Sequence, residues 1–77
     1  MSNRNKIYEG VRRIDWSKVQ PGQQVYIDNF QAGQFPDANP RISGPYTVVD
    51  VEGRQLRQRV SGRVFMHYPE NLLEAAS

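Results

Sequence analysis

His67 is the single histidine of the chain, and there is no cysteine, so few side chains are available to move a proton or hold a metal near neutral pH. General acid–base or nucleophilic catalysis needs a second group within hydrogen-bond reach, and no spacing marks a Ser, Asp or Glu as the companion of His67. His67 and Glu70 could donate two metal ligands, but no third or fourth ligand follows at a recognisable interval. Asp50 and Glu52 alternate and so point to one side, yet Glu52 falls in a turn open to water. The chain has no glycine-rich phosphate loop, nucleophile elbow or dinucleotide fingerprint. These residues predict a protein that is not an enzyme and that uses neither cofactor nor metal.

The chemistry that remains is recognition. Arg57, Arg59 and Arg63 are interleaved with Phe65 and His67, and guanidinium forks beside flat rings suit phosphates, carboxylates and stacked rings. With Tyr46 alongside, Tyr46, Arg57, Arg59, Arg63, Phe65 and His67 form a candidate partner-binding surface. The plainer alternative is that the arginines solvate an outer face while one aromatic packs under a loop. A second basic group, Arg4, Lys6, Arg12 and Arg13, could contact phosphates. Residues 1–14 carry +3 and residues 15–77 carry −1 of the chain's net +2, so basic character is expected mainly at the N-terminus. That is unlike a binder that meets nucleic acid with its whole surface.

Positioning these groups falls to short strands. Residues 1–13 have weak periodicity and read as a basic, partly mobile arm; residues 14–77 read as one domain. Gln20-Pro21-Gly22-Gln23 is a turn, and Gln24–Phe30 alternates Val25 and Ile27 against Tyr26 and Asp28 as a strand does. Gln31–Pro45, with Gly33, Pro36, Asn39, Pro40, Gly44 and Pro45, reads as a long loop, and Phe30 at its start with Phe35, Arg41 and Ile42 within it either touch a partner or close the end of the domain. Tyr46–Tyr68 splits into three β-rich runs at Glu52-Gly53 and Ser61-Gly62, a three-stranded antiparallel meander. Pro69-Glu70-Asn71 then predicts a 3₁₀ turn leading into a short closing strand through Leu72 and Leu73.

Register decides which residues are wet. A two-residue hairpin at Glu52-Gly53 pairs residue 49 with 56, placing Val49, Val51 and Leu56 inside and Tyr46, Val48, Asp50, Gln55, Arg57 and Arg59 outside. At Ser61-Gly62 a two-residue loop sets Arg57 and Arg59 beside Val64, Met66 and Tyr68. A three-residue loop with Gly62 in a left-handed bulge instead buries Val60, Val64, Met66 and Tyr68 and keeps Arg57, Arg59, Arg63, Phe65 and His67 outside. The second register is favoured because it keeps charge out of the apolar set.

Short strands, one long loop and tight hairpins in a chain of 77 residues predict an all-β fold, a small barrel of about five strands, since closure removes exposed edges. The order of elements over residues 15–75 resembles the SH3-like barrels, and Pro69-Glu70-Asn71-Leu72-Leu73-Glu74 is similar to the Pro-x-Asn-Tyr-Val ending of that family. Pro69 and Asn71 match as turn residues. Leu72 stands where the ligand-gripping Tyr would be, and Trp16 precedes the first clear strand, so the resemblance implies the barrel and not proline-rich peptide binding. Tyr68-Pro69 and Leu73-Glu74 also look like the ending of the type II dihydrofolate reductases. Val64-Phe65-Met66-His67-Tyr68 lacks the Val-Gln-Ile-Tyr segment of that family's pore, so no reductase activity is implied.

A domain this small has a stability on the order of 5 kcal/mol, little of which could support a strained active site. No apolar stretch long enough for a signal peptide or a membrane span is present, which predicts a cytoplasmic location. The expectation is a protein-binding module, a small accessory subunit or regulator of a larger protein of the kind phages and mobile elements encode. The runner-up is a nucleic-acid-binding barrel that uses the arm and the arginines. The sequence leaves the partner and the oligomeric state open.

Overall fold

The computed structural model describes residues 9–33 and 41–75. They are all-β: six antiparallel strands in one sheet, β1 (Val11–Arg13), β2 (Gln24–Asp28), β3 (Ile42–Asp50), β4 (Gln55–Gln58), β5 (Val64–Met66) and β6 (Leu72–Ala75), in the order β1-β6-β2-β3-β4-β5. Single 3₁₀ turns follow β1, at Trp16–Lys18, and precede β6, at Pro69–Asn71. The meander of β3, β4 and β5 and the closing 3₁₀ turn and strand are as the sequence predicts. The sixth strand comes from the segment expected to be an arm: Val11, Arg12 and Arg13 pair with Ala75, Glu74 and Leu73.

One apolar cluster draws on nearly every strand. Val19, Val25, Ile27, Val48, Leu56 and Leu72 are buried together, with Ile14, Trp16, Tyr46, Val51 and Phe65 packed against them. Strands so far apart in the sheet order can share a core only if the sheet curls, which makes the domain barrel-like. The Trp16 indole N–H donates to the Val51 carbonyl at 3.2 Å and so ties the turn after β1 to the turn between β3 and β4. Asp15 begins the first 3₁₀ turn, its carboxylate accepting the Ser17 amide at 3.2 Å and hydroxyl at 2.6 Å, and these bonds hold its pKa below the usual carboxylate value.

Two connections differ from expectation, and each moves side chains across the sheet. The register read from Glu52-Gly53 holds at Asp50↔Gln55, but a bulge between Val48 and Asp50 then sets Val48 opposite Leu56. The connection is the four-residue turn Val51–Arg54, closed by the Arg54 N–H on the Val51 carbonyl at 3.3 Å, with Arg54 at φ 53°. Val48, assigned to the outside, is therefore fully buried with Leu56; Val49 is only half-buried.

At Ser61-Gly62 the closing pair is Gln58 and Arg63. The Gln58 N–H donates to the Arg63 carbonyl at 2.7 Å, and Ser61 Oγ both donates to Gln58 Oε1 and accepts the Arg63 N–H. Gly62 is left-handed at φ 72°, as predicted, but the loop holds four residues rather than three. An even loop preserves the parity of the two-residue register, so Arg57 pairs with Val64 and Gln55 with Met66. The apolar residues that the three-residue loop would have buried are exposed: Val60 95%, Val64 41%, Met66 55% and Tyr68 55%.

The expected long loop is shorter than its composition suggests, because β3 begins at Ile42. Phe30 is half-buried and stacks against the Arg41 guanidinium at 5.6 Å. Phe35 lies outside the described residues.

Candidate protein-binding surface

The six residues proposed from sequence do not share a face. Tyr46 pairs with Gln58, and Leu56 with Phe65, so Tyr46, Val48, Leu56 and Phe65 line the inner side of the sheet. Tyr46 and Phe65 meet edge to face, centroids 5.4 Å apart and planes at 84°, and both pack on the core. The Tyr46 hydroxyl donates to Ser43 Oγ at 3.1 Å, and Ser43 Oγ also accepts from buried Asn29. These rings are structural, which corrects their assignment to the outer surface. Arg63 and His67 flank Phe65 on the same side by alternation, whereas Arg57 is on the other face and Arg59 in the hairpin loop.

His67 is half-buried, with Nε2 sealed from solvent and without a hydrogen-bond partner among the described residues. Burial pushes its pKa below the usual value of 6.5, opposed in part by the negative charge of Glu70. The folded protein thus keeps His67 neutral where the unfolded chain would take up a proton. Its stability contribution is complete above about pH 6.5 and is lost progressively as the pH falls from there toward the lowered folded value. Urea unfolding of the wild type should show midpoints declining from pH 7.5 to 5.5, and His67→Gln should flatten that decline. An unchanged slope in the variant would assign the decline to other groups. Among the described residues no three His, Asp or Glu side chains come together as a metal site.

The N-terminal basic residues are also divided. Arg4 and Lys6 lie outside the described residues. Arg12 reaches Glu74 at 3.4 Å, and Arg13 donates to the Glu70 carbonyl at 2.8 Å. Both line a cavity of about 280 Å³ with Val11, Asp28, Gln31 and Leu73. Asp28 is buried there, its carboxylate accepting the amides of Phe30 and Gln31. Its charged groups are committed to holding β1 and the turn after β2.

What the structure does bring together lies on the β4–β5 hairpin. Arg57, Val64 and Met66 share the outer face, and the Arg54 guanidinium sits 5.9 Å from the centre of the exposed Tyr68 ring. Four of the ten Lys and Arg residues and none of the eight Asp and Glu residues lie between Arg54 and Tyr68. That segment therefore carries +4, and the rest of the chain −2. Among the described residues the only ion pairs are Arg12–Glu74 and Lys18–Asp15, so the hairpin arginines are unneutralised. A groove of about 470 Å³ opens beside its tip, lined by Gly44, Pro45, Tyr46, Gln58, Arg59 and Val60.

Fold and surface together describe a small barrel-like β domain with one cationic, partly apolar hairpin. Comparison with protein-family models, curated proteins and solved structures finds no match to this chain. No described helix is long and apolar enough to cross a membrane.

Proposed function

We propose that the chain is a non-catalytic protein-binding module, a small cytoplasmic accessory subunit or regulator of a larger protein, of the kind phages and mobile elements encode. The observation that carries this reading is the exposure of Val64, Met66 and Tyr68 beside Arg54 and Arg57 on one hairpin. Aromatic, Met and Arg side chains are those enriched at the centres of protein interfaces, where a desolvated ring or guanidinium contributes most. The core does not need these side chains, since Phe65, Leu56 and Val48 fill it from the other face. His67, with Nε2 sealed from solvent and unpartnered, supports the non-catalytic half of the reading.

The test uses the tagged domain to capture partners from an extract of its own cells, with and without nuclease. Arg57→Ala/Arg59→Ala should leave the fold intact, because both side chains are exposed, and weaken capture at least several fold. Capture unaffected by the double substitution would remove the hairpin from the reading. One observation favours nucleic acid instead, the +4 segment without neutralising partners next to an exposed ring. In that case capture is lost on nuclease treatment, and affinity falls with a log–log salt slope of about −0.9 for each phosphate neutralised.

A further inference from the structure

Building on the protein-binding reading, we propose that the free edge of β5 takes up an extended acidic segment of the partner as an additional strand. The backbone geometry carries the first part of the argument. On the β4 side the ladder is bracketed by the Gln58 N–H on the Arg63 carbonyl at 2.7 Å and the His67 N–H on the Arg54 carbonyl at 3.1 Å. Antiparallel ladders alternate, so residues 63, 65 and 67 direct their peptide groups at β4, and Val64 and Met66 direct theirs away from it. The sheet order ends at β5, and among the described residues no strand pairs with that edge.

The side chains agree with the backbone. The residues whose peptide groups are free, Val64 and Met66, are also those whose side chains are exposed on the outer face. An added strand would gain hydrogen bonds and apolar contact at the same positions, as strand-addition complexes do. Edge strands that avoid pairing are kept short, bulged, or blunted by Pro, Lys or inward-pointing charge. β5 is short at three residues, with Arg63 next to Phe65 on the inner side, but Val64-Phe65-Met66 itself carries no Pro, Lys or bulge.

Charge selects the occupant. Arg54, Arg57, Arg59 and Arg63 lie on or beside this hairpin, with no acidic residue between Arg54 and Tyr68, so a strand carrying Glu or Asp at alternate positions complements their charge. A second copy pairing through β5 would instead bring +4 against +4. A nucleic acid would meet the arginines but has no alternating peptide donors and acceptors to match the edge.

The probe is a seven-residue peptide alternating glutamate and valine, compared with its lysine–valine counterpart and with oligothymidylate. The glutamate peptide should bind at up to millimolar concentration, at least tenfold more tightly than the lysine peptide. In hydrogen exchange on the wild-type chain it should slow the amides of Val64 and Met66 and leave Phe65, already bonded to β4, unchanged. Met66→Pro removes one edge donor that the fold does not use, an exchange edge strands tolerate. It should keep the melting profile and lose at least tenfold in affinity, whereas Met66→Thr, which retains the N–H, should bind within a few fold of wild type. If Met66→Pro fails to fold, exchange in the wild-type chain decides.

Absent binding of the glutamate peptide, or binding that leaves the Val64 and Met66 amides fast, overturns strand addition while a capture result sensitive to Arg57 and Arg59 still supports protein binding. Preferential binding of oligothymidylate overturns both. Concentration-dependent protection of Val64 and Met66 in the chain alone, with a dimer in sedimentation, would assign the edge to a second copy and reject the acidic partner.

Discussion

Val48→Asp is expected to unfold the domain, while Val49→Asp, one residue along, is expected to be tolerated. Val48 sits at the centre of the buried cluster opposite Leu56, and its backbone is fixed by bonds to the turn before β2, the Gly22 N–H to its carbonyl at 2.8 Å and its N–H to the Gln23 carbonyl at 2.9 Å. An aspartate there would bury a carboxylate with no cation nearby, a loss of about 3–5 kcal/mol. That approaches the whole stability of a domain this size, at roughly 0.05–0.15 kcal/mol per residue. Val49 occupies the bulge, half-exposed, where a charge should cost no more than about 1 kcal/mol. Circular dichroism and urea unfolding of the two variants measure the difference directly. If Val49→Asp proved the more damaging, the bulge would be misplaced and the uninterrupted register from Glu52-Gly53 would stand.

Alternation of Val25 and Ile27, turn residues at Pro21-Gly22, and Pro69-Glu70-Asn71 before two leucines are local signals, and the strands and turns they mark are present. Bulges are not local in that sense. The one between Val48 and Asp50 involves no glycine, and it arises because Val48 must meet Leu56 while Asp50 and Gln55 hold the turn. One unpaired residue there reverses the face of everything before it in β3, which is why Tyr46 and Val48 are inside. The strand at Val11–Arg13 was illegible for a different reason. Its pairing with Leu73–Ala75 spans nearly the whole chain, and a three-residue strand has too few positions to show a period.

The candidate surface was legible in composition and wrong in arrangement. Sequence alone picks out Arg57, Arg59 and Arg63 and the nearby rings but not Arg54, and it sorts them by assuming that apolar side chains go inside. That rule runs only one way: cores are apolar, yet surfaces expose many apolar atoms. Here Phe65 satisfies the core from β5, so Val64 and Met66 have no inner space to fill. The concentration of charge on one hairpin is hidden for a related reason. Dividing the chain at residue 14 hides the +4 segment behind the acidic residues on either side of it, Asp15 to Glu52 and Glu70 to Glu74. Only the pairing of β4 with β5 shows that those four charges occupy one hairpin.

Gly44→Ala should destabilise the domain far more than Gly62→Ala, although both glycines have positive φ. Gly62 is at 72°, and a Cβ there would meet nothing within 4 Å, so the substitution costs only the left-handed conformation, about 1–2 kcal/mol. Gly44 is at 133°, a region that side chains scarcely enter, and its Cβ would lie 3.0 Å from the Val25 carbonyl oxygen and 3.3 Å from the Tyr26 Cα. Those are backbone atoms of β2 and cannot swing aside. Relief would have to come from separating β2 and β3 where Val25 pairs with Tyr46, at the centre of the core. Overpacking of that kind adds about 1–3 kcal/mol to the conformational cost. Urea midpoints for the two variants should therefore differ clearly, with Gly44→Ala the lower. Equal midpoints would mean that β2 and β3 do not approach as closely at Gly44 as their register requires.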